Sequence, residues 1–86
     1  MAYVVHLKRS AEKELASLPT KIHDKVVKGL TMLKQNPRPV GAKKLQAREG
    51  YRIRIGDYRV LYVVDDEQSK VDVFSIAHRK EVYRLR

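Results

Sequence analysis

Three arginines on two neighbouring strand-like segments are the residues of this sequence best suited to bind a phosphate. The run Tyr51-Arg52-Ile53-Arg54-Ile55 alternates apolar residues with arginine, the pattern of a β-strand with one buried face. Gly56-Asp57 follows, and glycine at the first of two turn positions favours a type II′ hairpin. With that turn, Arg54 pairs with Arg59 across the hairpin, and Arg52 lies on the same face.

This arrangement has a cost, because like charges directly opposite each other destabilise a sheet unless an anion comes between them. Guanidinium groups match phosphate oxygens bidentately, so a phosphate-binding cluster is the functional interpretation. A solvated sheet face that uses arginine for solubility remains the structural alternative. The other face is predicted to pack beneath helices and contains Tyr51, Ile53, Ile55, Tyr58, Val60, Tyr62 and Val64.

A last strand, predicted from Val71 to Ala77, extends the cluster. If Val64 pairs with Val71, the residues expected on the arginine face are Asp72, Phe74, Ile76 and His78. His78 would then lie beside the Gly56-Asp57 turn, and histidine is the side chain that titrates near neutral pH. Arg79 follows it, and Tyr83 comes four residues later. Taken singly, His78 is equally well explained as a strand-end histidine without a role, and Tyr83 is better explained as a packing aromatic.

A second group of cations, Lys43, Lys44 and Arg48, surrounds Leu45 in what is predicted to be an irregular stretch before the hairpin. These three residues are candidates for binding phosphates, those of RNA among them. The whole chain carries 19 Lys and Arg against 10 Asp and Glu, a net charge of +9. Such an excess attracts polyanions, and RNA, DNA, an acidic protein and anionic lipid all remain candidates.

The elements that must position these residues are predicted in the order β-α-α-β-β-β. A strand over Tyr3–Leu7 precedes a helix with Ser10 as its N-cap, and Pro19 separates this helix from a second one that ends near Lys34. A loop from about Gln35 to Ala42 leads to the hairpin and the last strand. We therefore expect a single α+β domain over residues 1–86, with a four-stranded, mainly antiparallel twisted sheet, an N-terminal α-helical hairpin on one face, and a short C-terminal helical tail.

The sequence lacks the residue patterns of disulfide-bonded, membrane-spanning and metal-binding proteins. The chain has no cysteine, and no apolar run approaches the roughly 20 residues that span a bilayer. Asp65-Asp66-Glu67 could hold Mg²⁺, but aspartates are common in turns for backbone reasons. His6 and His23 have no companions at ligand spacing. We therefore expect a cytoplasmic protein without a membrane segment, metal or small-molecule cofactor.

Two segments together resemble the RelE/ParE superfamily of toxin–antitoxin toxins. They are Gly56-Asp57-Tyr58-Arg59-Val60-Leu61-Tyr62 and His78-Arg79-Lys80-Glu81-Val82-Tyr83. The resemblance extends over essentially the whole chain and is strongest toward RelE-like toxins. It implies a sheet with a helical hairpin, binding to the ribosomal A site, and metal-independent cleavage of mRNA with the ribose 2′-OH as nucleophile.

The resemblance also implies roles for individual residues. Arg52 and Arg54 match the basic pair on the family's second strand, Arg59 matches the arginine on the third strand, and Arg79 and Tyr83 match the C-terminal arginine and tyrosine. His78 fits a subset in which histidine takes part in proton transfer. The second-strand pair is often lysine in the family. Because arginine is not readily deprotonated, we expect His78 or Tyr83 to be the acid/base group here.

Two other functions remain open at this point. ParE-like toxins resemble this fold but inhibit DNA gyrase, and a non-catalytic basic RNA-binding module would also carry this charge. The resemblance further implies a cognate antitoxin. Its toxin-wrapping segment is expected to be acidic or amphipathic because this chain carries +9. The other expected partners are the ribosome and mRNA.

Overall fold

A computed structural model describes residues 2–78 as two helices packed on one face of a five-stranded sheet. The helices are α1 (Arg9–Ala16) and α2 (Thr20–Gln35), and the strands are β1 (Val4–Leu7), β2 (Lys43–Lys44), β3 (Tyr51–Ile55), β4 (Tyr58–Asp65) and β5 (Lys70–His78). The strand order is β1-β5-β4-β3-β2. β1 is parallel to β5, and the other neighbours are antiparallel. No helix in this part of the chain has the length and apolar character needed to cross a membrane.

The α+β class and the N-terminal helical hairpin are confirmed, whereas the four-stranded sheet is wrong. Lys43 and Lys44, expected in an irregular stretch, pair with Arg52 and Tyr51 and add a fifth strand at the edge. Two residues are too few to show an alternating pattern, so only the neighbouring strand reveals this one. The predicted C-terminal helical tail lies outside the described residues.

The β3–β4 hairpin has the predicted register. Arg54 pairs with Arg59, and Ile55 pairs with Tyr58 next to the turn. Gly56 has a φ of 60° and Asp57 does not have a positive φ, as a type II′ turn requires. The two faces of the hairpin therefore differ in chemistry as expected.

The core lies between the apolar hairpin face and the helices. Val26, Leu30 and Leu33 of α2 are buried against the sheet, whose buried members on this face include Ile53, Val60, Tyr62, Val71, Val73 and Ile76. Fully burying one such aliphatic side chain stabilises the fold by about 1.5–3 kcal/mol. This burial fixes which face of each strand is left for the arginines.

A β-bulge interrupts the pairing of β4 with β5. Leu61 pairs with Ser75 and Tyr62 pairs with Val73, so Phe74 is an extra residue on β5. A bulge moves every later side chain of its strand to the other face. Ile76 consequently lies in the core, and His78 pairs with Tyr58 on the helix side. The predicted placement of Ile76 and His78 on the arginine face is wrong for this reason.

Helix α1 hydrogen-bonds with the edge of β5 beyond the point where β1 ends. The Ser10 hydroxyl donates a hydrogen bond to the Phe74 carbonyl at 3.3 Å, and the Glu14 carboxylate accepts one from the Ile76 N–H at 2.9 Å. Side chains of α1 thus satisfy backbone groups of β5 that would otherwise be open to pairing with a strand of another chain. The predicted N-cap role of Ser10 is wrong, since the N-cap position is Lys8 and no side chain caps this end.

The loop between α2 and β2 is held by Asp66 in the β4–β5 turn. Arg38 donates two hydrogen bonds to the Asp66 carboxylate, at 2.8 and 3.2 Å, and a third to the Tyr51 hydroxyl at 3.1 Å. The Tyr3 hydroxyl also donates to Asp66, at 2.7 Å. The hydrogen bond from Arg38, followed by that from Tyr3, lowers the pKa of Asp66 below its ordinary value.

Stability should therefore depend on the ionisation of Asp66. Its lowered pKa in the folded state means that the contribution is complete above the unfolded pKa of about 3.9 and is lost as the pH falls through the folded value. We expect Asp66→Asn to lower Tm at pH 7, and this difference from wild type to shrink toward pH 3. Glu67→Gln removes the same charge from an exposed neighbour and should leave Tm nearly unchanged. Thermal melts at several pH values provide the measurement, and a pH-independent Asp66→Asn deficit would contradict the assignment.

Candidate nucleic-acid interface

A groove of about 820 Å³ lies on the arginine face of the sheet. Its floor is formed by Arg52 of β3, Arg59 and Leu61 of β4, and Phe74 and Ser75 of β5. One wall is the segment from Lys43 to Arg48, and Ser10 and Glu14 of α1 line the groove from the β5 side. The groove therefore unites the two groups of cations that the sequence analysis identified separately.

The three hairpin arginines lie on one side of the sheet, as predicted, but in different environments. Arg59 is only 6% exposed, Arg52 is half-buried, and Arg54 is exposed. The structural alternative of a solvated arginine face therefore does not describe Arg59, because β4 is the central strand and has neighbours on both sides. Arg54 lies beyond the end of the two-residue β2 and does not line the groove.

The groove is strongly cationic. Five of its lining residues are basic, namely Lys43, Lys44, Arg48, Arg52 and Arg59, and among the described lining residues only Glu14 is acidic. One oxygen of that carboxylate already accepts the Ile76 N–H. A partly buried guanidinium attracts an anion more strongly than one in bulk water, because the local dielectric constant is lower. The groove is thus suited to bind the backbone of a nucleic acid.

Ser75 is a polar group on the groove floor that the sequence analysis missed. It is 5% exposed, and its hydroxyl has no hydrogen-bond partner among residues 2–78. Leu61, its partner across β4, shares the face of Arg59. A buried hydroxyl of this kind costs free energy unless a ligand or water completes it. Its signal in the sequence was a lone serine inside the otherwise apolar run from Val73 to Ala77.

Arg48 and Phe74 form a contact between the wall and the floor. The guanidinium carbon of Arg48 lies 3.9 Å from the centre of the Phe74 ring, a cation–π geometry. From the sequence, Arg48 was expected only as a phosphate ligand, without a partner. Alternation along β5 correctly predicted Phe74 on the arginine face, but the position of Arg48, in a loop, could not be read from the sequence.

His78 is separated from the arginine groove. Its ring packs edge-on against Tyr58, with ring centres 5.4 Å apart, in a smaller cavity of about 170 Å³ beside the end of α1. The predicted proximity of His78 to Arg54 and Arg59 is therefore wrong. Arg79 and Tyr83, the other two C-terminal candidates, lie outside the described residues.

The acidic turn considered as a magnesium site has other contacts. Asp65 accepts a hydrogen bond from the Gln68 backbone N–H at 3.0 Å, and Asp66 binds Arg38 and Tyr3. Among residues 2–78, no group of three or more His, Cys, Asp or Glu residues has a geometry that could hold a metal ion. The turn carboxylates thus bind the backbone of the turn itself and the neighbouring loop between α2 and β2.

Comparison with known proteins gives matches over nearly the whole chain. Residues 5–83 match the model of the ParE toxin family of type II toxin–antitoxin systems. The chain is 34% identical to the toxin RelG of Mycobacterium tuberculosis, over 98% of this chain and 99% of RelG. It is 35% identical to the toxin RelE of the same organism, over 96% of this chain and 88% of that protein.

The fold is also similar to that of a solved structure. The crystal structure of the toxin–antitoxin complex RelBE2 from Mycobacterium tuberculosis contains a chain with a TM-score of 0.80 and 32% sequence identity, covering 92% of this chain and all of that one. Sequence and fold agree with the resemblance inferred from the hairpin and its C-terminal flank. The chain therefore belongs to the RelE/ParE superfamily, the toxins of type II toxin–antitoxin systems.

Proposed function

We propose that this protein is a RelE-type toxin that cleaves messenger RNA on the ribosome without a metal. The observation that carries the proposal is the groove, in which a buried Arg59 and a half-buried Arg52 lie beside the cations Lys43, Lys44 and Arg48. An RNA strand brings the anionic phosphates that such a groove binds. Two relatives of high coverage are the toxins RelG and RelE of Mycobacterium tuberculosis, which supports this function over others that use the same fold.

The proposed reaction is an internal displacement at phosphorus. The ribose 2′-oxygen forms a bond to the adjacent phosphorus as its proton leaves, and the bond from phosphorus to the 5′-oxygen breaks as that oxygen gains a proton. The phosphorane-like transition state carries extra negative charge on its non-bridging oxygens. Arg52 and Arg59 would stabilise that charge through fixed guanidinium donors, and the Ser75 hydroxyl can donate a further hydrogen bond.

Proton transfer needs a different group, since arginine stays protonated. His78 is no longer a candidate because it lies on the opposite face of the sheet. We assign the acid/base role to Tyr83, with Arg79 contributing positive charge nearby, on the strength of the family resemblance. Arg54, exposed at the hairpin end, is assigned to attract RNA phosphates from outside the groove.

The experiment that tests the function is primer extension on mRNA after a brief pulse of expression, beside a gyrase supercoiling assay with purified protein. Codon-phased cuts with normal supercoiling are expected. The family model that matches is named for ParE, which favours gyrase inhibition as the second candidate. Intact mRNA with inhibited supercoiling would support that candidate, and RNA binding with neither activity would support a non-catalytic module.

Replacing Arg59 should impair the chemical step. Arg59→Lys keeps the charge but loses the bidentate fork, so we expect single-turnover cleavage on programmed ribosomes to fall about 100- to 1000-fold. Arg54→Lys, outside the groove, should change the rate only a few-fold. Thermal melts establish that both variants are folded. Wild-type cleavage by folded Arg59→Lys would exclude the proposed role of the buried guanidinium.

The acid/base assignment predicts opposite results for substitutions of Tyr83 and His78. Tyr83→Phe removes only the hydroxyl, and we expect a loss of about 100-fold or more in cleavage rate with little change in ribosome binding. His78→Gln should retain most activity, because that ring contacts Tyr58 rather than the groove. The same ribosome assay measures both. A severe loss in His78→Gln together with an active Tyr83→Phe would reverse the assignment.

We further propose a cytoplasmic location and a cognate antitoxin that covers the cationic groove. The RelBE2 relative was solved as a toxin–antitoxin complex, and the net charge of +9 favours an acidic or amphipathic segment in the partner. Co-expression with the adjacent reading frame should yield a complex that weakens as salt is raised. A basic partner, or a salt-independent complex, would contradict the electrostatic basis of this pairing.

A further inference from the structure

We propose that Arg48, stacked on Phe74, is a nucleobase-stacking platform in the wall of the groove. The inference rests on the proposed function, because the base belongs to the RNA strand whose phosphates the groove would bind. It adds a position at which a base, rather than the backbone, is contacted. Such a position could make cleavage depend on sequence.

The geometry leaves one face of the guanidinium available. Phe74 is half-buried on the floor, and the guanidinium carbon of Arg48 lies 3.9 Å from the centre of its ring, whereas Arg48 itself is exposed. Within residues 2–78, Arg48 takes part in none of the ion pairs. A planar cation that is held against a ring on one side and exposed on the other presents a flat surface to the groove.

Backbone contacts of Leu45 and Gly50, which flank Arg48 in the chain, hold the platform in place. The Leu45 N–H donates to the Gly50 carbonyl at 2.9 Å and closes the loop that carries Arg48. Gly50 has a φ of 136°, and a Cβ at that position would lie 2.7 Å from the Tyr62 carbonyl oxygen and 3.6 Å from the Phe74 ring. Only glycine permits so close an approach. The closed loop and its close approach to β4 therefore bring Arg48 and Phe74 together without a ligand.

A stacked base suits this surface better than a phosphate does. Phosphate is bound by the N–H edges of a guanidinium, and Arg52 and Arg59 already provide such edges on the floor. The flat face of an arginine is instead a common stacking surface for unpaired RNA bases. One stacked base typically contributes about 5- to 100-fold in affinity. The experiment must distinguish this stacking role from the alternative, in which Arg48 is a simple phosphate ligand.

The test uses purified protein and a single-stranded tetraribonucleotide, compared with four versions that each lack one base but keep every phosphate. For the wild type we expect one abasic version to bind about tenfold more weakly than the intact RNA. Arg48→Lys keeps the charge and loses the plane. It should bind the intact RNA and that abasic version equally, with an unchanged salt dependence.

Lys43→Gln is the matched control from the same wall of the groove. It should weaken binding to the intact and abasic RNAs by the same factor and reduce the salt dependence by about one phosphate contact. If the wild type binds all five RNAs equally, or binds none measurably, the platform is excluded. If Arg48→Lys retains the tenfold preference, the arginine plane does not hold the base and the proposal is wrong.

The outcome is independent of the nuclease assay. A wild-type protein that prefers the intact RNA but leaves mRNA uncut on ribosomes would keep the platform and reject the nuclease. A protein that cuts mRNA but shows no base-dependent binding would keep the nuclease and reject the platform. Phe74→Leu, which removes the ring beneath Arg48, should reduce the preference in the same direction as Arg48→Lys.

Discussion

The two-residue turn at Gly56-Asp57 is the constraint on which the remaining geometry depends. It sets Arg54 opposite Arg59 and leaves no spare residue between the strands. Because side chains alternate along a strand, one extra residue in this turn would exchange the two faces of one strand relative to the other. Apolar side chains and arginines would then mix on each face. The register thus decides both where the core forms and where the cations collect.

Burial on the helix side makes this register difficult to change. Tyr62, fully buried, donates its hydroxyl to the Pro37 carbonyl at 2.7 Å and stacks on Tyr51, with ring centres 6.0 Å apart. Burial raises the pKa of the Tyr62 hydroxyl to about 12, so it remains a donor across the physiological range. Arg38 and Asp66 then hold the same loop from outside. Apolar burial and a few directed hydrogen bonds therefore keep the sheet behind the groove in one position.

The arginine face shows how a cationic site can form within a small fold. Arg59 is removed from solvent on the central strand, while Lys43, Lys44 and Arg48 remain exposed in the wall. Exposed cations attract a polyanion at long range, but salt screens them. A guanidinium held at low exposure acts at short range and is already oriented. The groove combines the two kinds of cation, as the proposed attraction and cleavage of RNA would require.

The sequence by itself determined the α+β class, the helical hairpin, the β3–β4 register and the family, because each depends on local signals: helical spacing, strand alternation, a glycine turn and two short motifs. It indicated the cations of the groove without showing that Lys43 and Lys44 form a strand. Only the tertiary structure decided the bulge at Phe74, which moved His78 away from the arginines and Ser75 onto the groove floor, and the position of Arg48 beside the Phe74 ring. A bulge depends on how β5 fits β4 and α1 together. That fit is a property of packed neighbours, and the order of residues in a single strand does not contain it.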